Sequence, residues 1–204
     1  MVFNNITAEA ENGSLFWGAD GTPITGVELN KVHLHMIPPE PDFAESIGGN
    51  LDLRWTALSP RDGIIKSDIP AFYAKHVDGL RLRDVQIDWA PSMPVYFSEG
   101  IRIETFKDVT MDGLELCQAQ LGRGAAIALQ DGTGTAITNS RATPGTDVFL
   151  HLDRVEGRRV FANYDLGAAA TGIEPAKARF DTEITGRSTG TAAALASGAA
   201  GAQP

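Results

Sequence analysis

Apolar and small residues recur through the middle of the chain at one set of offsets: a first apolar position, then further ones at +8, +10, +13 and +15. Phe72 opens one copy (Leu80, Leu82, Val85, Ile87), Ile101 the next (Val109, Met111, Leu114, Leu116), and Ile127 a more worn third (Thr135, Ile137, Ser140, Ala142). Alternation with period two places successive side chains on opposite faces of a strand. Between +10 and +13 each copy carries a pair suited to a bend: Arg83-Asp84, Asp112-Gly113 and Thr138-Asn139. Asp, Asn and Gly are the residues that enter the left-handed backbone region most readily.

The copies start 29 and 26 residues apart, which is too short for a strand-helix-strand crossover plus a partner strand and right for one turn of a coil. The pattern predicts an all-β chain wound as a parallel β-helix, with rungs about 4.8 Å apart and like residues above like. Val27, Leu29, Val32 and Leu34, with Asn30-Lys31 at the bend, fit the same template 53 residues before Leu80, about two rung lengths. At least four rungs are visible and six are expected in all. Residues 2 to 36 read as a rung with an enlarged turn over Gly18 to Pro23, and Val148, Leu150 and Leu152 open a last full rung. The β-helix domain is expected over 1–182. Within it, 37–69, rich in proline and glycine and without alternation, reads as a long excursion, and the Ala/Gly-rich 183–204 as a mobile tail.

With 43% hydrophobic residues in 204, the chain can bury a sizeable core. A formal charge of -9 and no run of Lys or Arg argue against a nucleic-acid partner. No stretch of about 18 apolar residues suggests a membrane span, and the first residues lack the basic and apolar regions of a signal peptide. Cys117 is the single cysteine and reads as a structural thiol beside Leu114 and Leu116. An open first rung would expose unpaired backbone groups, so a homo-oligomer or preceding rungs of a longer protein are expected to cover it.

If Phe72, Ala74, Ile101, Ile103, Ile127 and Leu129 point inward, their neighbours form two outward columns. One stacks Tyr73, Arg102 and Ala128, the other Lys75, Glu104 and Gln130. A polar, aromatic-flanked strip on a flat parallel sheet suits an extended polysaccharide or oligosaccharide, which needs apolar ring contact and polar groups for its hydroxyls. Tyr73, Lys75, Arg102 and Glu104 are therefore the candidate substrate-binding residues, although an ordinary solvated face would look the same. No catalytic residue stands out, because no convincing pair of carboxylates is visible among Glu99, Glu104, Asp131 and Asp62. His33 and His35 alternate on one strand face, but the sequence places no third ligand, so neither a metal nor a cofactor is expected. Trp17, Trp55 and Trp89 are possible sugar platforms, Trp89 reading more as packing.

The phrases Phe3-Asn4-Asn5-Ile6-Thr7-Ala8-Glu9, Gly26-Val27-Glu28-Leu29-Asn30-Lys31-Val32, Val77 to Val85 and Thr146-Asp147-Val148-Phe149-Leu150 resemble the later rungs of the right-handed parallel β-helix, pectin-lyase-like family of polygalacturonases and rhamnogalacturonases, glycoside hydrolase family 28. The resemblance implies a secreted or periplasmic polysaccharide-directed hydrolase. The family's four catalytic signatures, Asn-Thr-Asp, Asp-Asp, Gly-His-Gly and Arg-Ile-Lys, are absent, and Arg102-Ile103-Glu104 echoes the last with glutamate in place of lysine. The expectation is a C-terminal portion of such a protein, lacking its catalytic aspartates. The alternatives are a non-catalytic carbohydrate-binding or adhesion β-helix and a spike-like structural oligomer.

Overall fold

The computed structural model describes residues 1–39, 68–176 and 182–185, with 175–176 and 182–185 described by their backbone alone. It is a parallel β-solenoid of about six turns. One wall stacks β1 (Val2–Ala10), β4 (Glu28–Met36) and β6 (Arg81–Trp89) in parallel. The second stacks β2 (Ser14–Trp17) and β3 (Ile24–Thr25) on β5 (Phe72–Asp78), and β5 on the first half of β7 (Ile101–Asp112). From β7 onward single strands turn the corner between the walls. β9 (Ile127–Thr138) and β11 (Val148–Ala162) do the same, and β8 (Glu115–Leu116) and β10 (Arg141–Ala142) extend the first wall. β12 (Thr171–Ala176) and β13 (Thr182–Thr185) both pair with β11.

Every position of the +8, +10, +13 and +15 repeat is buried, including its polar members Thr135 and Ser140. Ser140 stands in a column otherwise held by Val85 and Leu114, and earns its place by hydrogen bonding: its hydroxyl accepts from Leu114 N–H (3.1 Å) and donates to the Thr138 carbonyl (2.9 Å). The bend has the left-handed backbone expected of it, with positive φ at Lys31, Asp84, Gly113 and Asn139. Two more left-handed columns were not read from the sequence. One holds His76, Thr105, Asp131 and Arg154, and the other Gly79, Asp108, Gly134 and Gly157. At these corners β7, β9 and β11 continue from one wall to the next as single strands, β11 with a register shift between Glu156 and Arg159.

The first rung is thinly covered. β1 ends the strand order, and Phe3, Ile6, Leu15 and Phe16 pack on the core while remaining only half-buried. The excursion expected at 37–69 and the tail expected at 183–204 lie outside the described residues apart from their ends, as do Trp55 and Asp62.

Candidate functional site

The two outward columns form as the alternation requires, and are longer than the repeat suggested. Leu15, Tyr73, Arg102, Ala128, His151 and Glu174 pair in series, and so do Trp17, Lys75, Glu104, Gln130 and Asp153. Both lie on the outer face of the second wall, where parallel pairing sets residues of successive rungs about 4.8 Å apart.

Glu104 is the hub. Its Oε2 accepts from the Tyr73 hydroxyl (2.9 Å) and pairs with Lys75 Nζ (3.2 Å), and its Oε1 accepts from Arg102 Nε (2.7 Å). The glutamate side chain is only 14% exposed. Burial pushes its carboxyl up, but the Arg102 charge and the contacts from Tyr73 and Lys75 outweigh that and hold it below the ordinary value. Burial also pushes the Tyr73 phenol well above its ordinary value, and the Glu104 charge and hydrogen bond act in the same direction. All four residues singled out from the sequence thus meet at one carboxylate.

Tyr73 is placed differently from a surface platform. It is 2% exposed, with its ring against Trp17 (centroids 5.8 Å apart) and its hydroxyl committed to Glu104. The more exposed aromatic of the pair is Trp17, 42% exposed, with Lys75 Nζ over its ring, 5.2 Å from the centroid. Further along the wall Arg154 bridges Asp131 and Asp153, its Nη2 2.8 Å from Asp131 Oδ2 and its Nη1 2.6 Å from Asp153 Oδ2. His151 lies 3.4 Å from Glu174.

A second constellation sits on the first wall. The missing partner of His33 and His35 is Asp88, which faces His35 across the β4–β6 ladder. His33 Nε2 meets one carboxylate oxygen and His35 Nδ1 the other. Burial pushes the Asp88 carboxyl up, but the two histidine hydrogen bonds outweigh it and leave it below its ordinary value. No group of three or more His, Cys, Asp or Glu among the described residues is arranged to hold a metal ion. The 53-residue offset between Val27 and Leu80 in the sequence, applied to His35, lands on Asp88.

Beside this clasp lies a groove of about 470 Å³ lined by residues that include Asp88, Trp89, Met93, Cys117, Gln120 and Thr143. Several of its polar groups serve the stack itself. Trp89 Nε1 donates to the Cys117 carbonyl (3.0 Å), and Gln120 Nε2 to the Met93 carbonyl (2.8 Å). The Cys117 thiol is half-buried, and burial pushes its pKa up, so little of it is thiolate near neutral pH.

Glu104 gives a pH-dependent test of the hub. A carboxylate with a folded pKa below its unfolded one, about 4.3 for glutamate, stabilises the fold fully above that value, and the contribution is lost as pH falls through the lowered folded value. In Glu104→Gln the fall in stability below about pH 4 is expected to be shallower than in wild type, though not abolished, because Asp88 and Asp112 are held down as well. Urea unfolding at stepped pH measures it, and equal acid slopes in the two proteins contradict the assignment.

The fold and this strip define a parallel β-solenoid with a stacked polar face. No protein-family model and no curated protein matches the chain. Among solved structures it is similar to a protein from Parabacteroides merdae ATCC 43184, provisionally described as a glycosyl hydrolase, at 13% identity and a TM-score of 0.35, over 79% of this chain and 72% of that one. A likeness of that size assigns neither family nor activity.

Proposed function

We propose that this solenoid binds an extended polysaccharide along the strip from Trp17 to Asp153 without cleaving it. The supporting observation is the state of Glu104. It stands in the second column with both oxygens already engaged by Tyr73, Lys75 and Arg102, and these partners hold its carboxyl below the ordinary value. A glycosidase acid must carry a proton to the leaving oxygen, and a carboxyl held below its ordinary pKa by two cations does not. The strip nevertheless has what a sugar chain needs. Trp17 is a 42% exposed aromatic beside Lys75, Arg102 donates to Glu104 through Nε, and Gln130 follows in the next rung. On this reading the resemblance to family 28 hydrolases reflects a shared scaffold adapted to holding glycan, and the absent catalytic signatures are part of the same picture.

Trp17→Ala is expected to weaken glycan binding at least about tenfold, as for loss of an aromatic anchor, while the fold remains intact. Affinity electrophoresis in gels containing soluble polysaccharides, beside a thermal melt, measures both. Undiminished retardation of the variant removes the strip from the account, and release of reducing ends by the wild-type chain removes the non-catalytic reading. The half-covered first rung favours a second reading, a spike-like oligomer closed at that end, which a monomer mass in light scattering would discard.

A further inference from the structure

We propose that the strip selects uncharged glycans and excludes polyuronates, and that Glu104 sets this selectivity; the inference rests on the binding reading above. Tyr73 Oη, Lys75 Nζ and Arg102 Nε converge on one point, which makes them a cradle for a carboxylate, and the chain fills that cradle with its own. A uronate would have to displace a carboxylate that is tethered, mostly buried and held by three contacts. A sugar hydroxyl needs no such exchange, because it can use donors and acceptors outside the cradle.

The surrounding charge acts in the same direction. Along the two columns and their flank stand three cationic side chains, Lys75, Arg102 and Arg154, against four carboxylates, Glu104, Asp131, Asp153 and Glu174. Each of these cations is paired with one or more of those carboxylates. The chain as a whole carries -9. A polyanion therefore meets net repulsion at long range and no unpaired cation of the strip on contact. A neutral chain loses nothing on either count.

Removing the resident carboxylate while keeping its shape should invert the preference. Glu104→Gln retains an acceptor for the Tyr73 hydroxyl but frees Lys75 and Arg102 for an incoming anion. Affinity electrophoresis compares two neutral polymers, galactomannan and hydroxyethyl cellulose, with two polyuronates, polygalacturonate and alginate. Wild type is expected to bind at least one neutral polymer at least tenfold more tightly than either polyuronate. Glu104→Gln is expected to gain at least tenfold toward a polyuronate, in a salt-sensitive manner, and the added change Arg102→Gln to abolish that gain. Wild-type binding of a polyuronate as tight as that of the neutral polymers overturns the inference and leaves the binding reading standing. So does a folded Glu104→Gln protein with unchanged preference. Binding of none of the four polymers by wild type overturns the binding reading and the inference with it. The wild-type preference can be read even if the variants do not fold.

Discussion

Gly132→Val is expected to destabilise the protein by about 3 kcal/mol, at the upper end of overpacking penalties, although valine is the better strand former of the two. The column through this position runs Ile24, Val77, Phe106, Gly132, Val155, and in it a large ring sits directly beside a residue with no side chain. A Cβ on Gly132 would lie 2.3 to 2.4 Å from three atoms of the Phe106 ring. Propensity and packing therefore predict opposite signs, and the close-packed interior decides between them. Phe106→Ala alone is expected to cost about 3 to 5 kcal/mol through the void it leaves. Combined with Gly132→Val it should cost far less than the sum, because the new isopropyl group enters the space the ring vacates. Guanidinium unfolding of the two single variants and the double closes the cycle. A coupling of about 2 kcal/mol is the expected result, and simple additivity would show that the two residues do not face each other across a rung.

The second large effect comes from two neighbouring residues. Ile103→Asp is expected to abolish folding, whereas Arg102→Ala is expected to stay within about 1 kcal/mol of wild type. Ile103 is fully buried in the column Ala74, Ile103, Leu129, Leu152, and an unpaired carboxylate there has nothing to solvate it. Arg102, one residue away on the other face, is partly exposed beside Glu104, whose remaining partners Lys75 and Tyr73 still hold it. Far-UV circular dichroism and soluble yield read the contrast. Because a one-residue slip of register exchanges the two faces, equal tolerance at the two positions would mean that the strand is paired differently.

These contrasts also mark where the sequence was legible. Strict alternation and one set of offsets were enough to place Phe72, Ile101 and Ile127, and every residue they predict inward, in the core. Bends carrying Asp, Asn or Gly announced themselves, since those residues adopt left-handed backbone at little cost. The corners at His76, Thr105 and Arg154 did not. Thr105 and Arg154 are poor choices for that conformation, so the stack above and below imposes it, and an isolated histidine is too weak a signal to mark the corner.

The strip was half legible for a similar reason. Its middle rungs follow the repeat, so the pairing of Tyr73 with Arg102 and of Lys75 with Glu104 could be read directly. Trp17 lies 58 residues before Lys75, with the proline- and glycine-rich sequence of 37–69 between them, and only the register of β2 on β5 brings it to the column. Nor does alternation report depth: it sets Tyr73 on the outer face of the solenoid, yet Tyr73 is 2% exposed, packed against Trp17 and hydrogen-bonded to Glu104. An outward position is a direction, and exposure depends on the neighbours two rungs hold over it.

Everything proposed for the strip requires that residues far apart in the chain stand one rung apart in space. Thr25, Asp78, Lys107, Thr133 and Glu156 form another such outward column, in which Thr25 and Glu156 are exposed and separated by 131 residues. Spin labels at Thr25→Cys and Glu156→Cys, in a Cys117→Ser background, measure that separation by pulsed dipolar spectroscopy. Four rung steps predict a narrow distribution about 19 Å apart at the backbone, broadened only by the label arms. A broad distribution, or one centred beyond about 30 Å, would contradict the stacked columns.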